Sequence, residues 1–479
     1  MWKHGRGDID IVAGRDYSLT GPEASVAASA GLVDANWFLP EIEPRHLRDM
    51  QQRSNTRAAI DTAAWLVLLV GSAWVAWWSL GVDQPVWWQV VVAFALYGAL
   101  YGGAADARWH ECGHGTAFAS RRANDVVYNV ASFMLWRGPT LWRWSHHRHH
   151  TDTIIVGRDA EIAFQRPPSV ARTVVALTNL RGGPEMLWRQ IRHAAGRLDD
   201  DARDLVPTSD HRRVIVEARV FVGIVAAVVV WCVATASIVP ALFIGGPTIY
   251  GGWLFVFFGV TQHAGLREDV LDHRYNTRTV MMNPVFRFLY LNMNYHLEHH
   301  MFPSVPYHAL PALHTAVADQ LPRATPSTWA AYREIVTTMR RQRRDPGYEA
   351  PREVPDVVGT RAPVQQGRDD LRRRADGGID LGATASMAPG DRRRVDLGGE
   401  ALLLVAHSEG VSLVDAVCTH ATVPLDDGAV LDCMIECPKH NACFDLRTGD
   451  VVRGPARAPL RVHRVEVIGG RIIARSPDR

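Results

Sequence analysis

Histidine recurs in this 479-residue chain at spacings that hold metal ions. His110 and His114 stand four apart in W-H-E-C-G-H-G, His146, His149 and His150 in S-H-H-R-H-H-T, and His296, His299 and His300 in N-Y-H-L-E-H-H-M-F-P. Spacings of three and four place imidazoles on one helix face, a turn apart. His263, in T-Q-H-A-G-L, is a plausible ninth ligand. Nine neutral imidazoles suit iron, copper or zinc and suffice for two ions. Glu111 and Glu298 lie inside these boxes. Outer support of ligand imidazoles is the role expected of them, with direct ligation as the alternative. His147 breaks the register and is expected to be structural or supporting, whereas His273, His308 and His314 stay unassigned.

A second constellation lies far downstream. Cys418-Thr419-His420 is followed, after 16 intervening residues, by Cys437-Pro438-Lys439-His440. Two Cys and two His in paired C-x-H and C-x-x-H loops suit a [2Fe–2S] cluster with thiolates on one iron and imidazoles on the other. The same donor set also suits a structural zinc ion. Cys433 and Cys443 miss ligand spacing, and Cys112 and Cys232 read as packing residues.

The elements that must position the histidines are apolar. Ala63–Leu80 and Val86–Ala105 are runs of 18 and 20 uncharged residues, and Val220–Leu266 is a run of 47 that accommodates two crossings if it turns near Gly245-Gly246-Pro247. A run of about 20 apolar residues spans a bilayer's hydrocarbon core. Trp77, Trp78, Trp87 and Trp88 flank the first turn as an interfacial belt would. The two short turns hold no Lys or Arg, whereas the segment between the second and third spans holds 17 Arg. That asymmetry predicts two helical hairpins with both termini, and every histidine box, on the cytoplasmic side of the cytoplasmic membrane. The amphipathic stretch Arg172–Leu198 is expected to lie along the membrane surface. Four segments carrying ligand candidates thus emerge on one face, a topology derived without reference to the histidines.

Residues 1–60 carry scattered charge and no apolar run behind a basic start, the pattern of a chain without a cleavable signal peptide. Residues 61–340 form the expected membrane domain, and 341–376 an Arg-rich linker, with ten Arg between Arg340 and Asp376. Residues 377–479 alternate in short runs punctuated by Gly and predict a small all-β domain. A net charge of +2 suggests no nucleic-acid partner, and the preference for Arg over Lys fits a GC-rich, bacterial genome. The composition excludes a small secreted domain, a collagen and a disordered chain.

On its histidine boxes the chain resembles the membrane fatty acid desaturase/hydroxylase superfamily, over roughly residues 15–320 and including H-E-C-G-H-G and H-H-M-F-P. Residues 148–159, R-H-H-T-D-T-I-I-V-G-R-D, are similar to a branch of hydrocarbon oxygenases of rhizopine catabolism. The superfamily implies four spans and two cytoplasmic non-haem irons that use O2 to remove hydrogen from an unactivated C–H bond. The C-terminal module, with F-D-L-R-T-G-D-V at 444–451, resembles Rieske [2Fe–2S] ferredoxins. Val423 and Lys439 stand where high-potential Rieske proteins carry a disulfide, so the ferredoxin type is implied. Together these imply an oxidoreductase that acts on a lipid or other apolar substrate with electrons from its own Rieske domain. Hydroxylation or oxidative demethylation of a small molecule is the first alternative, and a membrane-anchored electron carrier without oxygenase activity the second. No glycine-rich dinucleotide fingerprint follows a strand, so an external NAD(P)H-dependent ferredoxin reductase is the expected partner.

Overall fold

The computed structural model describes residues 15–32, 37–81, 86–356, 372–373, 378–397, 399–420, 423–426, 428–431, 433–437, 442–453 and 456–475. The chain divides into two compact units. One comprises Met1–Phe38, Gln52–His300 and Val305–Asp356, the other Leu39–Gln51, Met301–Ser304 and Val357–Arg479.

The first unit is helical. Among the described residues three helices are long and apolar enough to cross a membrane: Asn55–Leu80, Trp87–His114 and Thr208–Ala234. Ser54 starts the first by accepting a hydrogen bond from the Arg57 amide. Its outer face shows Val67, Val70, Trp74, Trp77 and Trp78 to the surroundings, as Val229, Val230 and Val233 do on the third. Faces so apolar and so exposed are consistent with membrane association. Trp65 lies on the inner face with Ala58, Ser72, Ala76 and Ser79, its indole N–H donating to the Leu100 carbonyl at 2.9 Å.

The second long helix is more enclosed and changes character along its length. Trp87–Gly98 is α-helical, Ala99–Gly103 is a π-helical turn, and Ala104–His114 resumes the α-helix. Gly115, at φ +73°, ends it with the left-handed residue that glycine supplies without strain. The 47-residue apolar run is less continuous than its composition suggests. After the helix ending at Ala234, the chain breaks into Val239–Phe243, Gly246–Tyr250 and Trp253–His263. Pro240 and Pro247 each sit in the first turn of a short helix, where the missing N–H costs nothing. Gly251 packs so closely on Gly98 that a Cβ there would overlap the Gly98 carbonyl oxygen. Small residues thus let the two backbones meet. Two shorter amphipathic helices, Val170–Thr178 and Gly182–Ala194, expose Val174, Val175, Trp188 and Ile191.

Apart from the helix Pro44–Met50 and the short piece Met301–Ser304, the second unit is mostly β-strand. Glu400–His407 pairs antiparallel with Arg392–Leu397 on one side and Gly410–Asp415 on the other, and Val462–His463 closes that four-stranded sheet. Ala429–Leu431, Met434–Glu436, Cys443–Asp445 and Val451–Arg453 form a second antiparallel sheet. A third contains Ile379–Ala383, Arg471–Ala474 and Val465–Ile468. Leu403, Val405, Val414, Ile435 and Phe444 lie in the shared core together with Cys418 and Cys437.

Candidate metal centre

The three histidine boxes lie on helices. His110 and His114 end the second long helix, His146, His149 and His150 occupy Pro139–Thr151, and His296, His299 and His300 occupy His296–Met301. His263 is the last residue of Trp253–His263. The nine imidazoles gather into two groups in which one ring nitrogen per residue lies within 4.8 Å of all the others. His110, His114, His146, His150 and His299 make one group, and His149, His263, His296 and His300 the other.

Neighbouring Nε2 atoms meet at 3.0 Å for His114 and His146, 3.2 Å for His146 and His150, and 3.1 Å for His150 and His299. In the second group the separations are 3.1 Å for His263 and His296 and 3.0 Å for His296 and His300. A metal–nitrogen distance of about 2.1 Å places adjacent ligand atoms about 3 Å apart, so the spacing fits a common ion. Both ring nitrogens of His110 are buried without a hydrogen-bond partner among the described residues. Burial holds His150, His296, His299 and His300 well below the usual histidine pKa, with neighbouring imidazoles adding to the effect. Neutral rings present the lone pairs a cation requires.

The opposite nitrogens are held by the protein. His149 Nδ1 meets Asp159 Oδ2 at 2.8 Å, and His146 Nδ1 meets Glu161 Oε2 at 3.1 Å. His263 Nδ1 donates to the Asn276 carbonyl at 2.8 Å, and Thr153 Oγ1 lies 3.2 Å from His300 Nδ1. Burial opposes protonation of His149, yet Asp159 outweighs it and raises the pKa. Burial opposes the Glu161 carboxylate too, but His146, then His149 and Arg137, hold it down at about 2.

Glu111 and Glu298, expected to support ligand imidazoles, do something else. Glu111 Oε1 accepts from Thr116 Oγ1 at 2.7 Å and from the Tyr307 amide at 3.0 Å. Glu298 accepts from Thr279 Oγ1 and meets His314 Nδ1, each at 2.5 Å. Consecutive helical residues diverge by about 100°, so a carboxylate next to or between ligands points off their face. The supporting carboxylates come instead from the loop after the second box. Asp159 lies inside the quoted 148–159 motif, the one signal that marked it. His147 is buried beside His114, with ring centroids 6.2 Å apart, and His273 stacks on Trp37 at 4.2 Å.

A cavity of about 200 Å³ opens onto His110, His146, His149, His263 and His296. Trp109, Trp142, Phe164, Phe255 and Val260 supply apolar wall, but charge enters as well. Arg137 Nη1 lies 2.5 Å from Asp106 Oδ1, and its guanidinium rests over Trp109, Trp142 and Phe255 at 4.6, 5.1 and 5.0 Å. Glu161, Arg166 and Glu268 also reach the cavity, the last two paired at 3.2 Å.

In the β unit, two loops share one closure. The Cys418 amide donates to the Val423 carbonyl, and the Cys437 amide to the Ala442 carbonyl, each at 2.7 Å and five residues on. Both cysteines are fully buried, and His420 is half-buried beside the first. His440, the fourth expected ligand, lies outside the described residues, as does Lys439. Cys433 and Cys443 are buried in the same unit.

The fatty acid desaturase family model matches residues 85–332, more than half of the chain. This chain belongs to the fatty acid desaturase family. The match covers every residue of both histidine groups. The chloroplastic omega-6 fatty acid desaturase of Spinacia oleracea is 22% identical over 306 residues, 60% of this chain and 67% of that protein. The Rieske [2Fe–2S] domain model matches residues 379–464 of the desaturase chain. Ferredoxin CarAc of Metapseudomonas resinovorans is 35% identical over 91 residues, 19% of this chain and 85% of that protein. The ferredoxin component of the p-cumate 2,3-dioxygenase system of Pseudomonas putida is 35% identical over 96 residues, 20% of this chain and 81% of that protein. Cys418, His420 and Cys437 fall within the Rieske match, and the domain supplies a [2Fe–2S] cluster to an oxidoreductase of the desaturase family.

Proposed function

We propose that this desaturase is a membrane di-iron enzyme that oxidises an unactivated C–H bond with O2, drawing electrons from its own Rieske domain. The observation that carries the reading is the gathering of nine imidazoles, eight buried and His263 half-buried, into two ion-sized groups. In the proposed centre His110, His114, His146, His150 and His299 hold one iron, and His149, His263, His296 and His300 the other. Two irons held there supply O2 activation and hydrogen abstraction. The chain's own part is positional. Asp159 and Glu161 keep the Nδ1–H tautomers of His149 and His146, so that both Nε2 atoms face inward. The aromatic wall of Trp109, Trp142 and Phe255 excludes water beside the histidines. Cys418, His420, Cys437 and His440 are the proposed ligands of the cluster.

The proposed domain plan is the one read from the sequence: a cytoplasmic segment 1–60, a membrane domain 61–340, a linker 341–376 and the Rieske domain 377–479. The membrane domain has four crossings in two hairpins, the broken segment 239–263 being the fourth, with both metal centres on the cytoplasmic side. Its proposed partner is a separate NAD(P)H-dependent reductase. The relatives named as ferredoxin components of dioxygenase systems support a Rieske domain serving as electron donor to an oxygenase.

A lipid acyl chain or other apolar molecule is the first substrate reading, supported by the family. Hydroxylation or demethylation of a small polar molecule is the second. It is favoured by the Asp106–Arg137 pair and Glu161 on the cavity wall, charges that an unsubstituted hydrocarbon would desolvate without replacing a hydrogen bond. His299→Ala tests the whole reading. Comparative mass spectrometry of cells making either chain should find a wild-type-only product, while the cluster's visible absorption is equal in both. Undiminished product from the variant removes the di-iron assignment.

A further inference from the structure

Three stretches of the desaturase unit converge on the end of the helix Trp253–His263. The Arg278 amide donates to the Gln262 carbonyl at 2.9 Å, and the Ala350 amide to the Gly265 carbonyl at 3.3 Å. Gln342 Nε2, on the helix Thr328–Gln342, reaches Gly265 at 3.3 Å and the Tyr348 carbonyl at 2.9 Å. Arg274 Nη1 donates to the Pro355 carbonyl at 3.1 Å. These bonds hold the stretches that carry Arg278 and Arg352 at the end of that helix, and neither arginine lines the cavity.

Their charge is not balanced there. Arg278 has no exposed side-chain surface, and its Nε and Nη2 both meet Glu334 Oε1, at 3.1 and 2.9 Å. Its Nη1 is buried without a hydrogen-bond partner among the described residues, as are Nε and Nη2 of Arg352. The carboxylate that meets Arg278 is itself one-third exposed, at 34%. Burial, followed by the charge of Arg278, pushes Arg352 down to about 10 against the pull of Glu334. A buried cation with unused donors is costly, and the usual remedy is an anion that takes them.

We propose that Arg278 and Arg352 form a binding site for the oxyanion of a phosphate group, beside Glu334 at the end of the helix Trp253–His263. Arg278 Nη1 and Arg352 Nε and Nη2 supply three N–H donors, and the guanidinium fork matches phosphate geometry. The phosphate belongs either to the headgroup of an anionic phospholipid, at the end of an apolar helix, or to free phosphate. Occupancy bears on the histidines through a short path. The stretch 276–278 offers its Asn276 carbonyl to His263 and its Arg278 amide to Gln262. The proposal stands independently of what the two histidine groups bind or oxidise.

The test uses the purified full chain with its metals, in detergent, as wild type and Arg352→Met. Melting is followed while inorganic phosphate is titrated, and retained phospholipid per chain is measured by mass spectrometry. If the source is free phosphate, wild type melts higher with each tenfold rise in phosphate and the variant does not respond. If it is lipid, wild type retains about one anionic phospholipid that the variant lacks, and phosphate moves neither. The proposal is overturned if wild type neither responds to phosphate nor retains anionic phospholipid, or if the variant matches it in both. Should Arg352→Met fail to fold, Arg352→Lys keeps the charge without the fork. It should weaken whichever ligand is seen by about tenfold, and unchanged binding also overturns the proposal.

Discussion

An imidazole binds a metal through one nitrogen and is aimed by whatever its other nitrogen touches. His149 is aimed by Asp159, whose Oδ2 also accepts from the Ile154 amide at 2.8 Å, while its Oδ1 accepts from the Glu161 amide at 2.7 Å. Three donors thus converge on this buried side chain. Asp159→Asn turns one of those acceptors into a donor facing an N–H. It should weaken iron at the four-histidine group 10- to 100-fold, the usual cost of losing such support. Iron per chain, followed against increasing chelator, reads this directly, and equal chelator resistance in wild type and variant would refute it. The histidines were legible in the sequence because spacings of three and four are local facts of a helix. Asp159 and Glu161 were not, because a loop folds back beneath the box and nothing in adjacency reports that. Glu111 and Glu298 drew attention by adjacency, the weaker guide, since neighbours along a helix face different ways.

At the scale of elements, the apolar runs were legible in composition, and three of them appear as long helices. The fourth was harder to read because hydropathy averages over breaks. Gly245, at φ +82°, and the prolines at 240 and 247 divide it without adding one charge. The last piece nevertheless carries His263 to the other ligands, held by the contact of Gly251 with Gly98. Gly251→Val forces those backbones apart. An overpacked contact of this kind costs about 1–3 kcal/mol. The variant should melt several degrees lower and lose iron from the group containing His263 before the other. A melting temperature and iron content equal to wild type would show that this contact tolerates bulk.

For the whole molecule, the two matches cover residues 85–332 and 379–464 of one polypeptide. Joining an electron donor to its acceptor replaces a bimolecular encounter with an intramolecular one, at an effective concentration of the order of millimolar for a short flexible link. Expressing residues 1–356 and 377–479 as separate chains should make turnover depend on the concentration of the Rieske piece, with half-maximal rate only near that range. Turnover of the fused chain should not change with dilution. A separated pair that matches the fused chain at micromolar concentration would mean that the two pieces bind each other tightly without the link. The ferredoxin relatives of 81–85% coverage are proteins in their own right, so the separated Rieske piece is a reasonable folding unit.

The π-helical turn Ala99–Gly103 also sets the phase of everything after it. Such a turn holds one more residue than an α-helical turn, and one residue is about 100° of rotation. His110 and His114 follow it by two to three turns, so their bearing depends on that surplus residue. A chain shorter by one position there, closing into uninterrupted α-helix, would keep every histidine and every apolar residue of the segment beyond the turn. It would swing His110 and His114 more than a quarter-turn from the seven histidines contributed by the rest of the chain. Metal binding therefore depends on an irregularity of the backbone as much as on the side chains that do the binding.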